Sequence, residues 1–270
     1  MNDSAAPVRP TAAGMYDFYL EGTAHSPVDR AAAEQVMQLL PPIVDGAWAN
    51  RGFLQRAVRR MASEWGIRQF IDIGAGLPTQ YNTHHVALEV APGSHVLYAD
   101  NDPMTVARGR ELLAGVPGTA MIEADVRAPE AVLDHPETRR LIDPAAPVGL
   151  LMVAVLHFVP DDDDPWGLVS RYLDAVPSGS YLAVTHASTD EQMDETLRAT
   201  VGKIYQNTTT PFVDRSKTEV ERLFRGLELV APYQGAEPAI TFAGVWGAED
   251  PVAADTEGSR WFYAGVARKP

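Results

Sequence analysis

The chain has 270 residues, 46% of them apolar, and no cysteine. It is long enough for one large domain or two small ones, and it can hold no disulfide, thiolate metal site or cysteine nucleophile. Its formal net charge of −14 argues against a nucleic-acid partner, because binding DNA or RNA needs many Lys and Arg side chains to displace counterions.

The start, "MNDSAAPVRPTAAG", has neither the basic n-region nor the apolar h-region of a signal peptide. No apolar run approaches the ~20 residues of a membrane span, so a cytoplasmic protein without a membrane partner is expected. Residues 1–14, rich in Pro, Ala and Thr, are expected to be mobile. "HSPVDRAAAEQVMQLLPP" predicts a helix, with Ser26 as N-cap, Pro27 at the first helical position and Asp29 three residues after the cap. Pro41 and Pro42 stop it. Trp48, Phe53, Leu54, Ala57, Val58 and Met61 recur at helical spacing in a second helix, which Gly66 ends. Residues 1–66 are therefore read as a mobile segment and a helical cap, ahead of a domain over 67–270.

Beyond Gly66, strand and helix alternate. "QFIDI", "HVLYAD", "AMIEAD", "VGLLMVAVL" and "YLAVTH" are predicted strands. Between them lie helices at "YNTHHVALEV", at "DPMTVARGRELLAG" with Asp102 as cap, in two pieces over 129–142, and at "DPWGLVSRYLDAV". A further helix is expected over about 189–205, then one at "DRSKTEVERLFRG" with a Ser216/Glu219 capping box. "LELV" and "WFYAGVAR" supply the last two strands. The almost unbroken apolar fourth strand implies burial on both faces, as parallel sheets require. The alternation specifies an α/β fold with a doubly wound sheet.

In such sheets the ligand lies outside the carboxyl ends of the strands. Four tips should meet there: "DIGAG" after strand one, Asp100, Asp125, and "LHFVP" after strand four. The glycines let the backbone approach a ligand and expose amide N–H groups. A dinucleotide fingerprint needs a third glycine, but Thr79 stands there, preceded by Pro78. Asp72 beside the turn would repel a pyrophosphate and would welcome an ammonium and a sulfonium. Asp100 follows at about the 20-residue distance of a ribose-binding acid, and Asp125 can accept from the amine of an adenine. Taken singly these residues are ordinary, since a lone G-x-G marks many turns and a strand-end Asp often caps a helix. Together, at three successive tips, they describe S-adenosylmethionine (SAM) better than NAD.

"FIDIGAGLPT", "MIEADVRAPEAVL" and "VLHFVPDDDDP" resemble successive motifs of class I SAM-dependent methyltransferases. More closely, the chain resembles a bacterial methyltransferase family first catalogued as domain of unknown function 574. "YDFYLEG" (Tyr16–Gly22), "DRAAAE" (Asp29–Glu34), "NRGFLQRAV" (Asn50–Val58), Asn82, His84, "YADNDP" (Tyr98–Pro103) and "GLELV" (Gly226–Val230) carry that resemblance. It implies a mostly parallel, seven-stranded Rossmann-like methyltransferase sheet behind an N-terminal helical cap. Carried onto this chain, Gly74, Ala75 and Gly76 approach the methionine part, and Asp72 orders the turn and the ammonium. Asp100 binds the ribose, while Asp125, the Val126 amide and Asn101 or Asp102 meet the adenine, unless Asp102 is only a helix cap. Leu156 and His157 lie near the transferred methyl.

His157 is either a general base or a spectator at a strand tip. His84 and His85 point about 100° apart on a helix, and Asp161–Asp164 read as a solvated turn whose last member caps a helix, so no metal is expected. Tyr16, Tyr19 and Asn50 either line the cap's inner face or pack it. The cap either folds over the strand ends or buries one face of the sheet. The reading is methyl transfer from SAM to a small-molecule acceptor, leaving S-adenosylhomocysteine. The alternatives are a SAM-binding protein without transferase activity and an NAD-linked oxidoreductase. Oligomeric state is left open.

Overall fold

A computed structural model describes residues 9–188 and 212–270. The helix expected over 189–205 lies outside the described residues. Three helices lead the chain: α1 (Ala12–Tyr19), α2 (Pro27–Leu39) and α3 (Ile43–Ser63). The α/β part follows as β1 (Gln69–Ile73), α4 (Thr83–Val90), β2 (His95–Asp100), α5 (Pro103–Leu112) and β3 (Thr119–Glu123). It continues with α6 (Pro129–Leu133), α7 (Pro136–Leu141), β4 (Gly149–Val153), α8 (Pro165–Asp174) and β5 (Tyr181–Ala187). The last elements are α9 (Lys217–Glu221), β6 (Glu228–Leu229), β7 (Thr241–Phe242) and β8 (Phe262–Arg268). No helix among the described residues is long and apolar enough to cross a membrane.

The predicted helix signals act as expected. Ser26 and Asp29 form a reciprocal capping box on α2, as do Ser216 and Glu219 on α9. Asp102 caps α5 through the Thr105 amide, and Asp164 caps α8 through the Gly167 amide. One helix was not expected: α1 begins inside the stretch read as mobile. Thr11 caps it by accepting from the Gly14 amide, and the Thr11 amide donates to Asp29 Oδ1 at 2.7 Å. The acid that starts α2 thus also pins the start of α1.

The strands lie in the order β3-β2-β1-β4-β5-β8-β6, with β7 added against β8. β1 to β5 pair in parallel, and β8 runs antiparallel to β5. The two-residue β7 makes eight strands where seven were expected, being too short to show a period. Chain order reverses between β1 and β4, the switch point at which doubly wound sheets bind ligands.

Side chains alternate across the sheet with period two. Ile71, Ile73, Leu97, Ala99, Leu150 and Met152 face the core under α6 and α8. Phe70, Val96, Tyr98 and Leu151 face the core shared with α1, α2 and α3. The register therefore aims Asp72 and Asp100 at the α3 side. α3 supplies Phe53, Leu54, Ala57, Val58 and Met61 to that core. The N-terminal helices bury one face of the sheet, and their inner residues also line the cleft at the strand ends.

Candidate functional site

One cleft gathers all four predicted tips at the carboxyl ends of β1 to β4. Asp72, Gly74, Gly76, Asp100, Asp125 and His157 line it, together with Tyr16, Tyr19, Asn50 and Arg51 from the leading helices.

The glycine turn is built without spare amides. Gly74 and Ala75 donate to the Ala99 carbonyl at 2.8 and 3.1 Å, and the Gly76 amide donates to Asp100 Oδ2 at 2.9 Å. The sequence suggested exposed N–H groups there; the structure uses them internally. Gly74 and Gly76 have φ of 66° and 63°, where a side chain is strained. No helix starts at the turn, since α4 begins only at Thr83. A pyrophosphate would find no spare amide on Gly74, Ala75 or Gly76 and no helix N-terminus at the turn, and it would meet the buried Asp72.

Asp72 accepts from Thr83 Oγ1 at 2.6 Å, so the acid also holds the first residue of α4. Burial pushes its carboxyl up to about 6, opposed by the Thr83 bond and the Arg51 charge. Asp100 receives the Gly76 amide on one oxygen and the Asp102 amide, at 3.0 Å, on the other. Burial raises its pKa too, although those amides favour the charged form. A carboxylate so held is fixed in orientation and still has acceptor capacity for hydroxyls.

β3 ends at Glu123, so Asp125 sits in the following loop, and it is not free. Arg127 donates to Oδ1 through its amide and Nε, both at 2.9 Å, and to Oδ2 through Nη2 at 2.6 Å. Asn101 Nδ2 adds a contact at 3.3 Å. The Arg127 bonds hold the Asp125 carboxyl down to about 2. Four donors fill a carboxylate, so an amine reaching Asp125 has to displace one of them. Sequence reasoning missed Arg127, although its place two residues after the acid was visible. Val126 is fixed by its carbonyl, which accepts from Tyr172 Oη at 3.0 Å.

After β4, Leu156 and His157 lie in a short 3-10 turn, both buried. His157 Nδ1 accepts from the Ala187 amide at 3.2 Å. Burial, His186 and Arg215 hold its pKa well below the usual histidine value. The neutral ring then carries its proton on Nε2. It can donate a hydrogen bond to a ligand, but its one lone pair is already occupied, which disfavours a general base.

A hydrogen-bond chain joins the helices to the sheet. The Ala154 amide donates to Thr185 Oγ1 at 2.9 Å, and Thr185 Oγ1 to Asn50 Oδ1 at 2.6 Å. Asn50 Nδ2 donates to Tyr16 Oη at 2.8 Å, and Tyr16 Oη to the Ala47 carbonyl at 3.0 Å. Burial raises the Tyr16 pKa, so it stays a phenol. Asp17, also missed, accepts from Thr79 Oγ1 at 2.7 Å and from the Ala24 and His25 amides, tying α1 to the glycine loop. Beyond His157 the wall is aromatic: Phe158, Phe212, Trp261 and Phe262.

A family model described as S-adenosyl methyltransferase matches residues 2–270. The chain belongs to this family. A Streptomyces avermitilis MA-4680 protein of the DUF574 family is similar at 38% identity and TM-score 0.87, over 97% of this chain and 98% of that one. A Thermobifida fusca YX protein is similar at 38% identity and TM-score 0.86, over 97% and 95% of the two chains. The plantazolicin methyltransferase BamL, at 8% identity and TM-score 0.52 over 96% of each chain, shares the fold. No curated protein matches.

The cofactor of this methyltransferase family is SAM, and the cleft suits a cation. With a carboxyl near 6, Asp72 is mostly protonated at pH 5, and an approaching ammonium favours its charged form. SAM affinity should therefore rise about tenfold from pH 5 to pH 7.5 as the carboxyl ionises. The sign is opposite for the free protein: a folded pKa raised above the unfolded one removes stability as pH rises from about 4 to about 6. Calorimetric titration at several pH values reads the first effect, and Asp72→Asn should flatten it. A wild-type affinity constant across that range would refute the assignment.

Proposed function

We propose that this methyltransferase uses SAM to methylate a small-molecule acceptor held between the cofactor and the aromatic wall, in the cytoplasm where SAM is available. The continuity of the cleft supports this: Asp100, Gly74 and the Phe158, Trp261 and Phe262 side chains line one space. Methyl transfer from a sulfonium is an in-line displacement with a good leaving group, so alignment and exclusion of water supply most of the catalysis. Tyr16, Tyr19 and Asn50 line the same cleft, which supports a part in enclosing an acceptor, and His157 Nε2–H can orient an acceptor oxygen. A hydroxyl acceptor would bring its own ionised form or lose its proton to water.

SAM or S-adenosylhomocysteine at one hundred times its Kd should stabilise the protein by about 2.7 kcal/mol and raise its Tm by roughly 5–10 °C, whereas NAD should not. Turnover is scored as S-adenosylhomocysteine released over a panel of small hydroxyl, amine and thiol acceptors. Release that depends on one acceptor supports transfer. Stabilisation by SAM with no release across the panel would favour a non-catalytic SAM-binding protein. Stabilisation by NAD alone would overturn the cofactor.

A further inference from the structure

Arg51 is 5% exposed and lines the cleft, yet no hydrogen bond or ion pair reaches its guanidinium among the described residues. A buried cation without a partner is costly, and such a group persists where a ligand completes it. Its surroundings do not neutralise it. The Tyr16 ring lies with its centroid 5.7 Å from Cζ, which orients the planar group but removes no charge. Asp72 feels the Arg51 charge but bonds to Thr83 instead. His85 and the Tyr98 phenol also feel the Arg51 charge, and neither carries the negative charge that would offset it.

Position narrows the partner. Along the strand order β3-β2-β1, Asp125 follows β3, Asp100 ends β2 and Asp72 lies in β1, so the nucleoside of the proposed SAM pose runs from Asp125 to Asp100. Asp72 and Arg51 lie toward the opposite end, an acid and a base that face the same space without pairing. An α-amino acid group carries the complementary pair of charges: an ammonium for the acid, and a carboxylate that a planar guanidinium binds through two parallel N–H bonds. We propose that Arg51 binds the α-carboxylate of the cofactor's methionine moiety. This rests on SAM being the cofactor. It gives the "NR" pair of "NRGFLQRAV" a division of labour, Asn50 tying α3 to the sheet and Arg51 reading the ligand.

Three nucleosides separate the possibilities when titrated calorimetrically into the wild type, Arg51→Gln and Arg51→Lys. They are SAM, decarboxylated SAM and 5′-methylthioadenosine, which lacks the whole amino acid. The wild type should bind SAM about 10- to 100-fold more tightly than decarboxylated SAM, the worth of a charge-assisted pair. In Arg51→Gln the gap should close to within about threefold, with 5′-methylthioadenosine bound as by the wild type; Arg51→Lys should fall between. A wild type that does not distinguish SAM from decarboxylated SAM would overturn the assignment without any variant needing to fold. So would an Arg51→Gln protein that keeps the gap; Arg51 would then serve an anionic acceptor. Binding of none of the three by the wild type would remove the SAM reading itself.

Discussion

Asp100→Ala should weaken SAM binding at least a hundredfold. The carboxylate is oriented by the Gly76 and Asp102 amides at the tip of β2, and the SAM pose proposed above has it accept from two ribose hydroxyls. Hydrogen bonds to a charged group contribute ~1.5–3 kcal/mol each, so losing two spans roughly two to four orders of magnitude. Part of the loss is indirect, because the Gly76 amide loses its acceptor and the turn loosens. Asp100→Asn separates the contributions: its amide oxygen still accepts one backbone N–H, while its NH2 faces a donor. It should lie between wild type and alanine. Titration with S-adenosylhomocysteine, with circular dichroism to confirm folding, makes the measurement. An unchanged Kd in a folded Asp100→Ala protein would mean that the ribose lies elsewhere.

Gly74→Ala should cost both stability and cofactor. An added Cβ would lie 2.1 Å from Val155 Cγ2 and 2.6 Å from Val155 Cβ, at a φ of 66°. The left-handed backbone costs ~1–2 kcal/mol for a side chain, and overpacking adds ~1–3 kcal/mol. The sum, about 2–5 kcal/mol, corresponds to a Tm lowered by roughly 5–15 °C in a chain of this size. Adding Val155→Ala removes the nearest atom but leaves the strained φ and the Cβ contact, so recovery should be partial. A single variant melting with the wild type would show that the turn adapts freely, and that β1 and β4 are not held at this contact.

What the sequence reveals of this fold follows from what is local. β1 and β2 were legible to the residue because β1 runs straight into the Gly74 turn and the apolar run of β2 ends at Asp100, just before the Asp102-Pro103 start of α5. Asp102 and Ser216 could be placed because an N-cap acts within three residues. Asp72, Asp100 and Asp125 meet in one cleft because parallel strands bring their tips to one edge. What was hidden depends on distant partners. Thr11 starts α1 only because Asp29 reaches it, and Arg127 alters the meaning of Asp125 through a side-chain conformation that spacing does not encode. Trp261 and Phe262 of the aromatic wall were hidden for a topological reason. β8 runs antiparallel to β5 and pairs Phe262 with Ala187, so the start of a strand reaches the ligand edge, where only strand ends were sought.

The position of β8 also imposes an order of assembly. β6 precedes β8 in the chain but pairs only with it, and β8 lies between β5 and β6. During synthesis, β5 therefore stands as an open edge while β6, already made, has no strand to join. Docking of β8 is a long-range event of the kind that slows folding and exposes strand edges to aggregation. It closes that edge, gives β6 its partner and, through Trp261 and Phe262, completes the wall of the cleft in one step. In a chain made from its N-terminus, the glycine turn and Asp100 are synthesised before Trp261 and Phe262, so enclosure of the cleft can come only with β8 and with the covering of the β5 edge.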